Sequence, residues 1–419
     1  MQPSIILYTI IGIVTVSYLF EQFLEFLNLR AQRAEVPDEV ARFYDRDQYL
    51  RSLQYHRELT VFSFLTSAIG FVVSVCMLLG GGFGWLDVLL RGYIQHDIVL
   101  ALAFFGVLML ASDLLTLPFQ LYSTFVIEEK YGFNKTTMAT FITDKLKGYG
   151  LSAIVGGLLL TALILLVTSL GTNFWLWFAV IACGFMLFMN MFYTSLILPL
   201  YNTLTPLPDG ELKKAIEAYA RQVDFPLDNV FVIDGSKRSA KANAFFSGMG
   251  KKKKIVLYDT LIQQHSVDEL VAVLAHEVGH FKKKHIVWSY VASVFQITFM
   301  LFVLSRVIGA ENVSLALGAQ QWGIHLNLVA FAILFSPVSG IAGLLMSIFS
   351  RKNEFEADAY ARETYAAVPL MDALKRLSVD SLSNLYPHPW YVFFHYSHPP
   401  LLARLAALEH PAIIPDVRS

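Results

Sequence analysis

His276-Glu277-Val278-Gly279-His280 is the stretch of the chain with the clearest chemical meaning. On a helix, histidines four residues apart share one face, so both imidazoles reach a single zinc ion. The glutamate between them lies where it can take a proton from zinc-bound water. The flanking sequence supports a helix independently. Ser266-Val267-Asp268-Glu269 is a capping box, and Leu270, Val273 and Leu274 form an apolar face just before the motif. A zinc hydrolase needs a third protein ligand and one open position. Glu354 and Asp358 stand at i and i+4 in Glu354-Phe355-Glu356-Ala357-Asp358. One of these carboxylates can bind the metal while the other accepts the second ring N–H of a ligand histidine. Near the end of the chain, His395-Tyr396-Ser397-His398-Pro399-Pro400 and Arg404 add further polar groups. A histidine there could hydrogen-bond an oxyanion, and the arginine could pair with a carboxylate of the metal site. Taken singly, each group also has a structural reading, such as an acidic helix start or a surface His-Pro turn.

The elements that must position these residues follow from composition. The 419 residues are 55% hydrophobic and only 16% charged, too few charges to build the surface of a soluble protein. With 14% aromatic residues and two cysteines, disordered chains and disulfide scaffolds are excluded. A net charge of −1 offers no bulk attraction to nucleic acid. Cys76 and Cys183 lie in apolar segments as small hydrophobes. A spanning helix needs about 20 apolar residues. Such stretches occur at about 5–20, within 59–86, and at 98–117 with Asp113 inside and Pro118 closing it. Others fall at 151–170, 174–198, 286–304 and 326–349, the last with Pro337 in its interior. The expectation is a mainly α, polytopic membrane protein with seven transmembrane helices and a small α/β part.

Lysine and arginine alternate between the loops. The first carries Arg30, Arg33, Arg42, Arg46, Arg51 and Arg57, the second only Arg91, the third Lys130, Lys135, Lys145 and Lys147, and the fourth none. The fifth, residues 201–285, is lysine-rich, and the sixth has only Arg306. By the positive-inside rule the N-terminus is outside, and the fifth loop and the tail are cytoplasmic. The domains expected are 1–200 (helices one to five), 201–285 (a protease loop with the motif helix), 286–350 (helices six and seven) and 351–419 (the C-terminal cytoplasmic part). The fifth loop is read as a charged helix at 210–222, strands at 230–233 and 255–258, a turn at 248–250 and a solvated lysine tip at 251–254. His325 is expected on the outer side. His285 is expected to continue the motif helix, out of phase with the ligand face.

Together these motifs resemble the type I CAAX prenyl protease family, membrane-embedded zinc metalloendopeptidases. The resemblance also rests on Leu117-Pro118-Phe119 through Ile127-Glu128-Glu129-Lys130 to Asn134, and on Thr205-Pro206-Leu207-Pro208. Asp234-Gly235-Ser236-Lys237-Arg238-Ser239, leading into Asn243-Ala244-Phe245-Phe246, adds to it. It covers nearly the whole chain in order. It implies that seven helices enclose a chamber, with the α/β metalloprotease part on the cytoplasmic side. It implies one Zn2+ per chain held by His276, His280 and Glu354, with Glu277 as general base and His398 stabilising the oxyanion. Asp358 would orient His276, Arg404 would support the carboxylates, and Asn243 and Ala244 would pair with substrate backbone as a sheet edge. Substrates would be peptides or protein C-termini, with or without a prenyl group, and the chain is expected to be a monomer in the bilayer without nucleic-acid partners. Lys241 stands where eukaryotic members typically have a histidine, and no retrieval signal ends the chain. A bacterial inner membrane is therefore favoured over the endoplasmic reticulum. Two other readings fit the residues: a quality-control zinc protease without a prenyl requirement, and a transporter lined by Asp113 and Asn190.

Overall fold

The computed structural model describes residues 1–247 and 253–410. The turn expected at 248–250 and the start of the lysine tip at 251–254 lie outside the described residues. Among the described residues six segments are long and apolar enough to cross a membrane: Pro3–Ala31, Arg46–Leu79, Asp97–Glu128, Met138–Tyr201, His285–Val307 and Ile324–Thr364. The fourth comprises two helices, Met138–Leu170 and Phe174–Leu196, divided at Gly171, whose φ of +54° ends the first. Large apolar side chains such as Val16, Leu158, Val180, Phe295 and Ile341 face outward from these helices, as lipid-facing surfaces do. The chain is an integral, multi-pass membrane protein.

Several boundaries differ from expectation, each for a local reason. The helix holding the second span begins at Arg46, where the Asp45 side chain accepts from the Gln48 N–H at 2.7 Å. It ends at Leu79 before Gly81, which is left-handed at φ +63°, and a separate helix, Gly82–Arg91, follows. Pro118 does not close its helix, which runs to Tyr122 and continues as a π-helical turn, Ser123–Glu128. Proline has a helical φ and removes only one backbone hydrogen bond, which a membrane helix tolerates. Pro337 likewise lies inside a continuous helix, Ile324–Thr364, of 41 residues and about 60 Å.

The polar part is built on a four-stranded sheet. Its strands are β1 (Leu204–Pro206), β2 (Leu227–Ile233), β3 (Ala244–Ser247) and β4 (Lys253–Tyr258), in the order β1-β2-β4-β3. β2 and β4 are parallel and the other pairs antiparallel, so β3 is an edge strand. The charged helix Glu211–Gln222 packs beneath it, as its expected bounds anticipate. Leu257, Leu261, Leu270, Val271, Leu274 and Val278 join Ile216, Tyr219, Ala361 and Leu370 in one buried core. Three of these residues, Leu270, Leu274 and Val278, recur at a spacing of four on the motif helix Val267–Lys282 and bury one stripe of it.

The long Ile324–Thr364 helix carries its last turns past the apolar region and along the motif helix. A Cβ on Gly279 would lie 2.9 Å from Ala357 Cα and 3.1 Å from Tyr360 Cβ. Glycine at this position therefore sets how closely the two helices approach. Three short helices, Ala367–Asp380, Pro389–His395 and Leu401–Glu409, return the tail to the same region.

Candidate metal centre

The motif helix starts where its sequence signal places it. Ser266 Oγ accepts from the Glu269 N–H at 3.3 Å, and Glu269 Oε2 accepts from the Ser266 N–H at 2.9 Å. Ten residues on, His276 and His280 present their Nε2 atoms to one another at 3.1 Å. Glu354, from the long helix, closes the set. Its Oε2 lies 3.5 Å from His276 Nε2 and its Oε1 lies 3.3 Å from His280 Nε2. Donors about 2.0–2.1 Å from a tetrahedral zinc stand roughly 3.3 Å apart, which is the spacing found here. Glu354 Oε2 is also buried without a hydrogen-bond partner. Two imidazole nitrogens and an orphaned carboxylate oxygen converging on one point suit a divalent cation.

Behind His276, its Nδ1–H donates to Asp358 Oδ1 at 2.8 Å. Arg404 clamps that carboxylate with Nε on Oδ2 at 2.8 Å and Nη2 on Oδ1 at 2.6 Å, and its Nη1 lies 3.6 Å from Glu354 Oε2. Burial opposes a charged His276, but Asp358 and Glu354 outweigh it and raise the ring to about 9. The pocket therefore attracts positive charge at the point where the three donors meet. Arg404 behaves alike: burial works against its charge, and Asp358 and Glu354 more than restore it. Burial pushes the Glu277 carboxyl above the usual carboxylate range, with the two histidines acting against that rise. His398 has a largely exposed side chain. Partial desolvation, together with the charges of Arg404, His276 and His280, lowers it against the pull of Glu354 and favours a neutral ring. A raised carboxylate beside a cation-attracting pocket is an arrangement suited to proton transfer.

The residues singled out for the metal chemistry and the strand edge come together here. His398 Nε2 lies 3.4 Å from Glu354 Oε1, and its Nδ1 is 3.0 Å from Ser397 Oγ. Asn243 and Ala244 sit at the start of β3, where the Asn243 carbonyl accepts from the Tyr258 N–H at 3.0 Å. A cavity of about 250 Å³ is walled by Ala242–Ala244 on one side and by Leu370, Leu374 and Leu377 on another, with Glu277, Glu354, His398 and Arg404 at its floor. A second cavity of about 480 Å³ opens from the same Glu277, Glu354 and His398 toward Met186, Asn190, Tyr290 and Ser293 on the apolar helices. The donor set thus lies between a strand edge and the membrane-spanning part.

Other singled-out residues lie elsewhere. His395 pairs with Glu21 at 3.2 Å, and His325 pairs with the buried Asp87 at 2.8 Å. Asp113 is held by Lys145 at 2.5 Å and by the Tyr149 hydroxyl. Lys241 donates to Tyr55 Oη at 3.0 Å and lies 3.3 Å from Glu128 Oε2, so it ties the protease loop to the first polar loop's helix and the π-helical turn. One neighbour escaped the sequence reading. His285 does not continue the motif helix, which ends at Lys282; Lys284 is left-handed at φ +61° and a new helix starts at His285. That turn brings His285 Nδ1 within 3.0 Å of His280 Nδ1. Three lysines running into a further histidine were the only sequence signal of a break.

Comparison with known proteins places the chain in a family. Residues 25–203 match the model described as CAAX prenyl protease N-terminal, five membrane helices, and residues 206–412 match peptidase family M48. The chain is similar to a CAAX prenyl protease 1 homolog of Oryza sativa subsp. japonica, 36% identical, with 94% of each chain covered. A human CAAX prenyl protease 1 homolog is 33% identical over 94% of this chain and 93% of its own. The crystal structure of S. mikatae Ste24p superposes with a TM-score of 0.92 at 31% identity, covering 98% of this chain and all of that one. On these matches the chain belongs to peptidase family M48, as a membrane metalloendopeptidase of the CAAX prenyl protease 1 group.

Proposed function

We propose that this protein is a zinc-dependent endopeptidase that cleaves peptide bonds near the C-terminus of CAAX-type, prenylated protein substrates, with one zinc held by His276, His280 and Glu354. When bound, the metal makes its water acidic near neutrality and polarises the scissile carbonyl. Glu277 takes the proton of the attacking water and passes it to the leaving amine, a role its raised carboxyl suits. The His398 ring donates a hydrogen bond to the developing oxyanion. Asp358 fixes the tautomer of His276, and Arg404 fixes Asp358. Asn243 and Ala244 receive an extended substrate as an added strand on the free side of β3, which holds the scissile bond over Glu277.

The observation that carries this reading is the convergence of three donors and Glu277 on a cleft bounded by a sheet edge. The charge alternation of the loops supports an outside N-terminus and a cytoplasmic site, with seven helices around a chamber. A monomer in a bacterial inner membrane is the form this reading favours.

The test is cleavage of matched prenylated and unprenylated peptides by purified protein, with product masses and a chelator control. Chelator-sensitive endoproteolysis favouring the prenylated peptide is expected. Equal turnover of both would favour the quality-control reading, and no cleavage with no bound zinc would overturn the assignment.

A further inference from the structure

The two ligand histidines are held in different ways. His276 donates directly to a buried carboxylate that an arginine clamps. Among the described residues His280 has no carboxylate at its outer nitrogen; it faces another imidazole, that of His285, at 3.0 Å. From this we infer that His285 and Glu356 form a relay that positions His280 as a zinc ligand, a role that rests on the proposed zinc chemistry.

The protonation pattern follows from the geometry. His280 Nε2 points at His276 Nε2 and Glu354 Oε1, so a cation there requires the Nε2 lone pair and leaves the proton on Nδ1. Among the described residues the acceptor for that proton is His285 Nδ1. A neutral imidazole has one donor and one acceptor, so His285 carries its own proton on Nε2. His285 Nε2 lies 3.2 Å from Glu356 Oε2, an acceptor of the required kind. Every nitrogen in the chain has one consistent assignment. The two rings stand 75° apart, one edge toward the other, and His285 is buried. Glu356 is half-exposed, with Lys352 Nζ 3.7 Å from its Oε1.

The relay also bridges two cavities. His285, Ser289 and Asn353 form a wall shared by the cavity over the metal centre and a neighbouring one of about 390 Å³, lined by Trp288, Met346 and Phe349. Glu356 faces the second cavity. The outer support of His280 is thus reachable from a space that Asp358, buried behind His276, does not touch.

Partners of this kind are worth about 10–100-fold in metal affinity. The test is zinc competition against a chromophoric chelator, using the full chain in detergent. His285→Phe keeps a ring in the space but offers no acceptor, while His285→Asn places an oxygen near the Nδ1 position. The expected result is a loss of about 10–100-fold for His285→Phe, recovery of most of it in His285→Asn, and a smaller loss for Glu356→Leu. Melting of the zinc-free proteins should not separate Phe from Asn. Unchanged zinc affinity in His285→Phe, or equal loss in Phe and Asn, would overturn the relay. A wild-type chain that takes up no zinc would overturn the proposed function as well, so the two failures are distinguishable.

Discussion

Two buried clusters in this protein contain the same three residue types. At one end of the long helix, His276, Asp358 and Arg404 are linked by a 2.8 Å His–Asp contact and a two-pronged Arg–Asp contact. At the other, His325 lies 2.8 Å from Asp87 Oδ1, and Arg91 Nε approaches both oxygens of Asp87 at 2.9 and 3.0 Å. His325 and Asp358 are 33 residues apart on one helix, hence about 50 Å. What differs is the other side of the histidine. His276 turns Nε2 toward His280 and Glu354, whereas His325 lies against the Phe104 ring with centroids 4.5 Å apart. Arg91 then donates to the Trp322 carbonyl, which ties a loop to the helix start. The trio is a way of satisfying buried charge; a metal centre needs further donors converging on the free nitrogen.

This contrast can be broken or sharpened by mutation. The largest effect is expected at the base. Glu277→Gln should lower peptide turnover by about 10²–10⁴-fold while retaining one zinc per chain by mass spectrometry, and normal turnover would sink the catalytic assignment. Next come the matched carboxylates. Asp358→Asn should weaken zinc binding by about 10–100-fold. Asp87→Asn should leave zinc affinity at the wild-type level but lower the melting temperature, because breaking a buried ion pair costs about 3–5 kcal/mol. If both variants lost zinc equally, the distinction between the clusters would fall.

A smaller effect is expected where the helices touch. Gly279→Ala adds a Cβ 2.9 Å from Ala357 Cα, and overpacking of this kind costs about 1–3 kcal/mol. Denaturation should show that loss, and zinc affinity should fall with it. The smallest is at Lys241, which is partly exposed. Lys241→Met removes the pairing with Glu128 and should change stability by no more than about 1 kcal/mol; a large loss would mean that this link holds the loop in place.

Much of the site was legible because its spacing is local. His276 and His280 share a helix face, the capping box places that helix, and Glu354 and Asp358 share a face of another. None of this depends on long-range packing. Which carboxylate faces the metal did depend on it: Glu354 and Asp358 are equivalent in spacing, and the crossing at Gly279 sets one before the donors and the other behind His276. His285 was missed because periodicity assumes an unbroken helix, and the left-handed Lys284 resets the phase within two residues. Pro118 and the glycines at 80–82 act in opposite ways. A proline in an apolar helix need not stop it, whereas three successive glycines in an apolar run did.

The close crossing at Gly279 also has a mechanical meaning. His276 and His280 ride on one helix and Glu354 and Asp358 on another, and the two meet so closely that a Cβ on Gly279 would lie 2.9 Å from Ala357 Cα. A bilayer that tilts the long helix would carry all four groups as one body. The sheet shares a buried core with the motif helix and moves with it, so the distance that changes is the one between the donors and the apolar helix across the larger cavity, where Met186 and Asn190 lie. Reconstitution into thinner and thicker bilayers is expected to shift KM for a peptide while leaving zinc affinity alone, so that lipid would tune substrate reception rather than the metal.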